Sequence, residues 1–171
     1  MKPVVGIYGL GILGSNLARN LGLRGFELAL CSSLKDAKPE NRPQQVISRF
    51  PELSTAKGFE TISAFLDGLI PARIVIMMLT ADESVDEAIQ VIIPHLSKGD
   101  VLIDGSNSHY SDTTRRYHQL KDLGIHFLGC GFSGGLDGIA NGISVMPGGS
   151  EEGYTIARPV LESVAATSVD G

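Results

Sequence analysis

Residues 6–36 read GIYGLGILGSNLARNLGLRGFELALCSSLKD. A short apolar run ends at Tyr8, and glycines follow at positions 9, 11 and 14. At this spacing after a strand, the first glycine permits a tight turn. The second lets a pyrophosphate approach the backbone, and the third lets the following helix pack closely on the strand. Ile12 to Leu23 has helical spacing, with Leu13, Leu17, Ala18 and Leu21 on one side. The N-terminus of such a helix offers unpaired N–H groups and the positive end of a dipole. Gly25 closes the helix, and Glu27 to Cys31 forms a second strand. Units of this kind place an acidic or basic selector roughly 20 residues on, at the end of that strand. Here the place reads Cys31-Ser32-Ser33.

Outward from this unit the chain alternates strands and helices. Val4 to Tyr8 and Arg73 to Leu79 are continuous apolar runs, as in strands buried on both faces. Gln44 to Phe50 forms a helical turn or two after a polar loop, and Thr61 to Leu69 a short helix. Ser84 to Leu96 is an amphipathic helix, Val101 to Asp104 a strand, and His126 to Gly129 another. Ser111 is the expected cap of a helix running to Leu123, with Gly124 as its stop. Ser150-Glu151-Glu152 opens a last helix through Leu161 and Val164. Such alternation predicts an α/β fold, a parallel sheet with helices on both faces. Right-handed crossovers then put ligands at the carboxyl ends of the strands.

Composition narrows the partners. The 171 residues suit one domain, and 43% hydrophobic against 19% charged residues excludes a disordered chain. A net charge of −5 argues against general affinity for nucleic acid or an anionic membrane. An anionic ligand must then be held by backbone N–H groups or a few placed cations. Cys31 and Cys130 make no CxxC pair, and the four histidines show no metal-ligand spacing. No metal, no disulfide and a reducing cytoplasm are therefore the expectation. No apolar run is long enough to span a bilayer.

Three further clusters follow strand ends. MMLTADES (77–84) ends one strand and caps a helix. DGSNSHYSDTTRR (104–116) is polar enough that some side chains face a ligand, unless Arg115 and Arg116 merely cover a solvated helix face. GCGFSGGLDGIANGISVMPGGS (129–150) offers backbone N–H groups beside Ser133 for a carboxylate or hydroxyl, or is simply a set of tight turns.

With these stretches in view the chain resembles the 6-phosphogluconate dehydrogenases, within the wider β-hydroxyacid dehydrogenase group. GLGILGSNLARNL is shared by the whole group, while NSHYSDTTRRY and SVMPGGSEE point to the phosphogluconate branch. The resemblance covers nearly all the chain and is weakest over residues 34–60. It implies a Rossmann-type, doubly wound, mostly parallel sheet over residues 1–171. It implies oxidative decarboxylation of 6-phospho-D-gluconate to ribulose 5-phosphate with NADP or NAD and without a metal. By the same likeness Gly9, Leu10, Gly11, Ile12, Leu13 and Gly14 form the pyrophosphate turn. Cys31, Ser32 and Ser33 lie beside the adenosine ribose, and Leu79, Thr80 and Ala81 make another cofactor loop. Asn107 stands between nicotinamide and substrate, and Ser133, Gly134 and Gly135 hold the sugar acid. The family's lysine base and glutamate acid are expected beyond Gly171. A C-terminal helical domain carrying the homodimer contact is expected there too, so no catalytic residue is assigned in this chain.

The departures bear on specificity. NADP-dependent members carry Asn-Arg-Thr where this chain has Cys31-Ser32-Ser33, and NAD-preferring ones an acid. Two hydroxyls and nearby Lys35 favour NADP, though no arginine clamps it. Thr80, Ser106 and Leu136 replace a usual lysine, glycine and glutamate. A related enzyme acting on another hydroxy acid, or a non-enzymatic dinucleotide-binding module, stays open on the sequence.

Overall fold

The computed structural model describes residues 2, 4–34, 36, 41–135, 138 and 142–168. Among them β1 (Val5–Tyr8), β2 (Leu28–Cys31), β3 (Lys57–Phe59), β4 (Ile74–Met77), β5 (Val101–Asp104), β6 (His126–Ser133) and β7 (Ser144–Gly149) form one sheet. Its order is β3-β2-β1-β4-β5-β6-β7, with the first six strands parallel and β7 antiparallel to β6. The helices are α1 (Ile12–Leu23), α2 (Arg42–Arg49), α3 (Ile62–Gly68), α4 (Glu83–Ile92), α5 (Tyr110–Lys121) and α6 (Glu151–Val164). This is the doubly wound, Rossmann-type sheet that the alternation predicts.

β1, β2 and β4 read as unbroken apolar runs because both faces are covered. Val5, Ile7, Leu30 and Ile76 pack against Leu17 and Leu21 of α1 and Leu161 of α6. Tyr8, Val75, Met77 and Leu102 pack against Phe65 of α3, Ile89 of α4 and Leu120 of α5. Each fully buried side chain of this kind contributes about 1.5–3 kcal/mol. From β1 the chain winds outward to β2 and β3, then returns to β4 on the other side of β1. The order reverses there, so a crevice opens at the carboxyl ends of β1 and β4.

Several expected elements differ. The helix expected to run to Leu96 ends at Ile92 and tightens into a 3₁₀ turn, Ile93–His95, because Pro94 has no N–H to continue it. Its cap is Asp82, whose carboxylate accepts the Ser84 N–H at 2.8 Å. Ser111 is not the cap of α5. His109 is, through Nδ1 accepting the Ser111 N–H. The strand expected over His126 to Gly129 extends to Ser133, which puts Cys130 inside it rather than at its end. What pairs with the extension is β7, drawn from a glycine-rich stretch that also admits a reading as turns. Pro147 is tolerated because β7 is an edge strand. Strand β3 is three residues long and has no alternation to reveal it.

Candidate functional site

Each glycine of the turn after β1 has its own physical reason. Gly9 has φ +97°, and a Cβ there would lie 2.5 Å from the Met78 carbonyl oxygen. A Cβ on Gly14 would lie 1.9 Å from the Gly9 carbonyl oxygen. The fold itself therefore demands both. Gly11 differs: its φ of −66° suits any residue, and a Cβ there would meet nothing within 4 Å. No side chain caps α1 and no acid stands in its first turn, whereas side chains cap α3, α4, α5 and α6. The result is an open helix N-terminus that attracts anions. Ile12 is exposed there, and so is Leu13, at 58%. The helical spacing puts Leu13 with Leu17 and Leu21, but at the first turn that face rises above the sheet.

Leu10 needs correction as a ligand contact. Its side chain is buried, its carbonyl accepts from Arg42 Nε and Nη2 and from Ser15 Oγ, and its N–H donates to Asp36 Oδ2 at 2.8 Å. The same Oδ2 accepts the Ser33 N–H at 2.9 Å. Asp36 and Arg42 thus brace the turn, and both lie beyond the strand end where a selector is expected. A signal existed for Asp36, which lies 22 residues after Gly14 (36 − 14).

At the end of β2, Cys31 is 2% exposed and packs among Tyr8, Phe65 and Leu66, so its thiol faces no ligand. Only its carbonyl serves the site, by accepting the Gly9 N–H. Ser33 is 6% exposed and Ser32 Oγ is buried without a partner among the described residues. Of the two hydroxyls expected to face a 2′-phosphate, that of Ser32 is therefore closed off, while Ser33 lines the cavity at the strand ends. Lys35 and Leu136 lie outside the described residues.

A cavity of about 240 Å³ gathers Gly11, Ile12, Leu13 and Gly14 with Ser33, Asp36, Leu79 and Thr80. Met78 and Ser84 also line it, and Ala81, one residue on, does not. Ser106, in place of the usual glycine, links two loops: its Oγ accepts the Leu79 N–H at 3.2 Å. A groove of about 360 Å³ between α1 and α2 carries Arg19, Arg42 and Arg49 beside Gly11. Arg42 is engaged by the Leu10 carbonyl, Arg19 is paired with Glu52, and Arg19 and Arg49 lie over the Phe50 ring.

Asn107 follows β5 with φ +58°. Its Oδ1 accepts the Phe132 N–H at 3.0 Å and its Nδ2 donates to the Phe132 carbonyl, so the amide bridges the ends of β5 and β6. Beneath it, Asp104 accepts from Ser106 N–H, Ser108 Oγ and Arg116 Nη1. Arg116 is 3% exposed and also grips Asp86, while Arg115 meets Asp86 from the surface. Of the two arginines, only Arg115 covers a solvated helix face. Ser133, Gly134 and Gly135 line a small cavity, about 50 Å³, with Leu13, Asn20 and Met78. Asn107 instead opens on a larger cavity of about 660 Å³ with Ser108, Tyr110 and Met146.

The ionisable groups follow their surroundings. Hydrogen bonds from Arg116, then Arg115, hold the Asp86 carboxyl well below the usual carboxylate range. Burial pushes the Cys31 and Cys130 thiols up to about 12. Neither is poised as a nucleophile.

An uncapped α1 and an open Gly11 fit a dinucleotide lying across the ends of β1, β2 and β4. Comparison with known proteins agrees. The sequence profile of the NAD binding domain of 6-phosphogluconate dehydrogenase matches residues 4–171. Two Bacillus subtilis relatives are named as decarboxylating 6-phosphogluconate dehydrogenases. The NADP(+)-dependent one is 38% identical over 99% of this chain and 35% of its own length. The NAD(+)-dependent one is 40% identical over 95% of this chain and 33% of its own. The solved structure of the Plasmodium falciparum 6-phosphogluconate dehydrogenase superposes with TM-score 0.87 at 32% identity, covering 98% of this chain and 35% of that one. The chain spans about a third of the length of these relatives.

Proposed function

Since the chain belongs to the 6-phosphogluconate dehydrogenase family as its NAD-binding domain, we propose that it holds the dinucleotide for oxidative decarboxylation of 6-phosphogluconate. The cofactor, when bound, takes up hydride from the sugar acid. The residues of this chain bind and orient. The N–H groups opening α1 hold the diphosphate beside Gly11, helped by the dipole. Asn107 spends its oxygen and one amide hydrogen on Phe132, which leaves the second amide hydrogen to donate between nicotinamide and substrate. Ser133 and the backbone of Gly134 and Gly135 receive the sugar acid. A lysine base, a glutamate acid and a helical domain that pairs two copies belong, in this proposal, to the longer protein, which works in the cytoplasm.

Gly11 carries the reading. Its backbone suits any residue and the fold leaves space for a side chain, so a ligand is the reason left for glycine. Gly11→Asp tests this. Aspartate is a favoured helix N-cap and complements the dipole, so thermal stability should hold or rise. The same carboxylate stands where the diphosphate belongs, so calorimetric affinity for both NAD and NADP should fall by about a hundredfold or more. Unchanged affinity in a folded variant would refute the placement.

A further inference from the structure

We infer that Asp36 selects the cofactor, its carboxylate receiving the adenosine ribose hydroxyls of NAD and repelling the 2′-phosphate of NADP. The inference rests on the dinucleotide reading above. The two Bacillus subtilis relatives do not decide between cofactors, since one is named for each at nearly equal identity. The geometry of the β2 end does.

A turn in which the Asp36 N–H donates to the Ser33 carbonyl brings the acid back over the glycine turn. Two backbone donors, Leu10 and Ser33, then converge on one oxygen, Oδ2. That clamp fixes the carboxylate against the first helix turn. The other oxygen, Oδ1, has no hydrogen-bond partner among the described residues, and Asp36 has no ion pair among them. Asp36 lines the same cavity as Gly11, Gly14, Leu79 and Thr80. A fixed carboxylate with one free oxygen, beside a pyrophosphate turn, is the arrangement that accepts hydrogen bonds from a ribose diol. A phosphate on the same ribose carries about two negative charges, and it would sit against that oxygen.

Among the described residues, Arg42 is already engaged by the glycine turn. Arg42 directs Nε and Nη2 at the Leu10 carbonyl and lines the groove between α1 and α2, which meets the Asp36 cavity at Gly11 and Ile12. The hydroxyl of Ser32 is buried, so it offers a phosphate no donor.

The test is calorimetric titration of the 171-residue chain with NAD, NADP and 2′-deoxy-NAD. The wild type should bind NAD at least about tenfold more tightly than NADP, and 2′-deoxy-NAD about tenfold more weakly than NAD. Asp36→Asn keeps an oxygen for the two backbone donors and removes the charge. It should shrink the NAD-to-NADP ratio about tenfold and reduce the loss seen with 2′-deoxy-NAD. That last coupling separates direct contact with the ribose from mere bracing of the turn. NADP binding as tightly as NAD to the wild type would overturn the inference while leaving the dinucleotide site standing. So would a folded Asp36→Asn chain with an unchanged ratio. Should the variant fail to fold, the three wild-type affinities still decide. If neither cofactor binds the wild type, the proposed function falls, and this inference with it.

Discussion

Replacing Arg116 by methionine should remove much of the stability of this fold. Arg116 lies midway along α5, and its guanidinium reaches three partners. Nε and Nη2 meet Asp86 at 3.2 and 2.8 Å, and Nη1 meets Asp104 at 3.1 Å and Ser108 Oγ at 2.9 Å. The Asp104 side chain is fully buried and that of Asp86 is about a third exposed. In Arg116→Met, Asp86 keeps Arg115 and water, so its share of the loss is small. Asp104 is left charged and buried. Breaking a buried pair in this way costs about 3–5 kcal/mol. The Ser106 N–H and Ser108 hydroxyl still solvate Asp104, which points to the lower end, about 3 kcal/mol. In a domain of this size that is a fall in Tm of roughly 6–12 °C. Urea unfolding should show a lower midpoint with an unchanged slope. Adding Asp104→Asn to Arg116→Met should restore part of the loss, because the stranded charge is gone. A loss below about 1 kcal/mol, or a double variant weaker than the single one, would refute the argument that burial of Asp104 makes this arginine necessary.

Asn107→Ala should cost stability as well as activity, about 1–3 kcal/mol, since it deletes two bonds to Phe132 and leaves alanine at positive φ. Asn107→Gly, which relieves only the backbone part, should be the more stable of the two by thermal melting. Lowering the pH should destabilise the chain below about pH 4: the Asp86 carboxyl is depressed when folded, so its contribution is present above the unfolded value near 3.9 and lost as pH falls through the folded one. Chemical unfolding at pH 7, 5 and 3.5 checks this, and a rise in stability on acidification would contradict it. Cys31 and Cys130 should count as two free thiols after denaturation but react slowly with a thiol reagent in the native chain, both being buried and pushed up to about 12. The sign at alkaline pH is opposite to that of Asp86: stability is full below the unfolded thiol value near 8.5 and falls as pH rises above it.

Most of the sheet was legible in the chain because local rules determine it. β1 and β4 are unbroken apolar runs that only a doubly covered strand explains, and α1 carries both its glycine turn and its amphipathic spacing within 20 residues. Parallel topology and the location of the crevice follow from that alternation. The glycine turn, Asn107 and Ser133–Gly135 are all read from strand ends for the same reason. What the sequence did not display is set by partners distant along the chain. β7 looks like a run of turns until β6 pairs with it. Cys31 looks like a site residue until Phe65 and Leu66 close over it. Arg116 and its neighbour Arg115 are indistinguishable in a charged helix, yet one faces Asp104 and the other water. Asp36 sits beyond the strand end where a selector is sought, and only the fold brings its carboxylate back to the Leu10 and Ser33 N–H groups. Local periodicity encodes which face of an element is apolar. It does not encode which distant backbone donor a carboxylate will meet, because that meeting depends on how the elements pack.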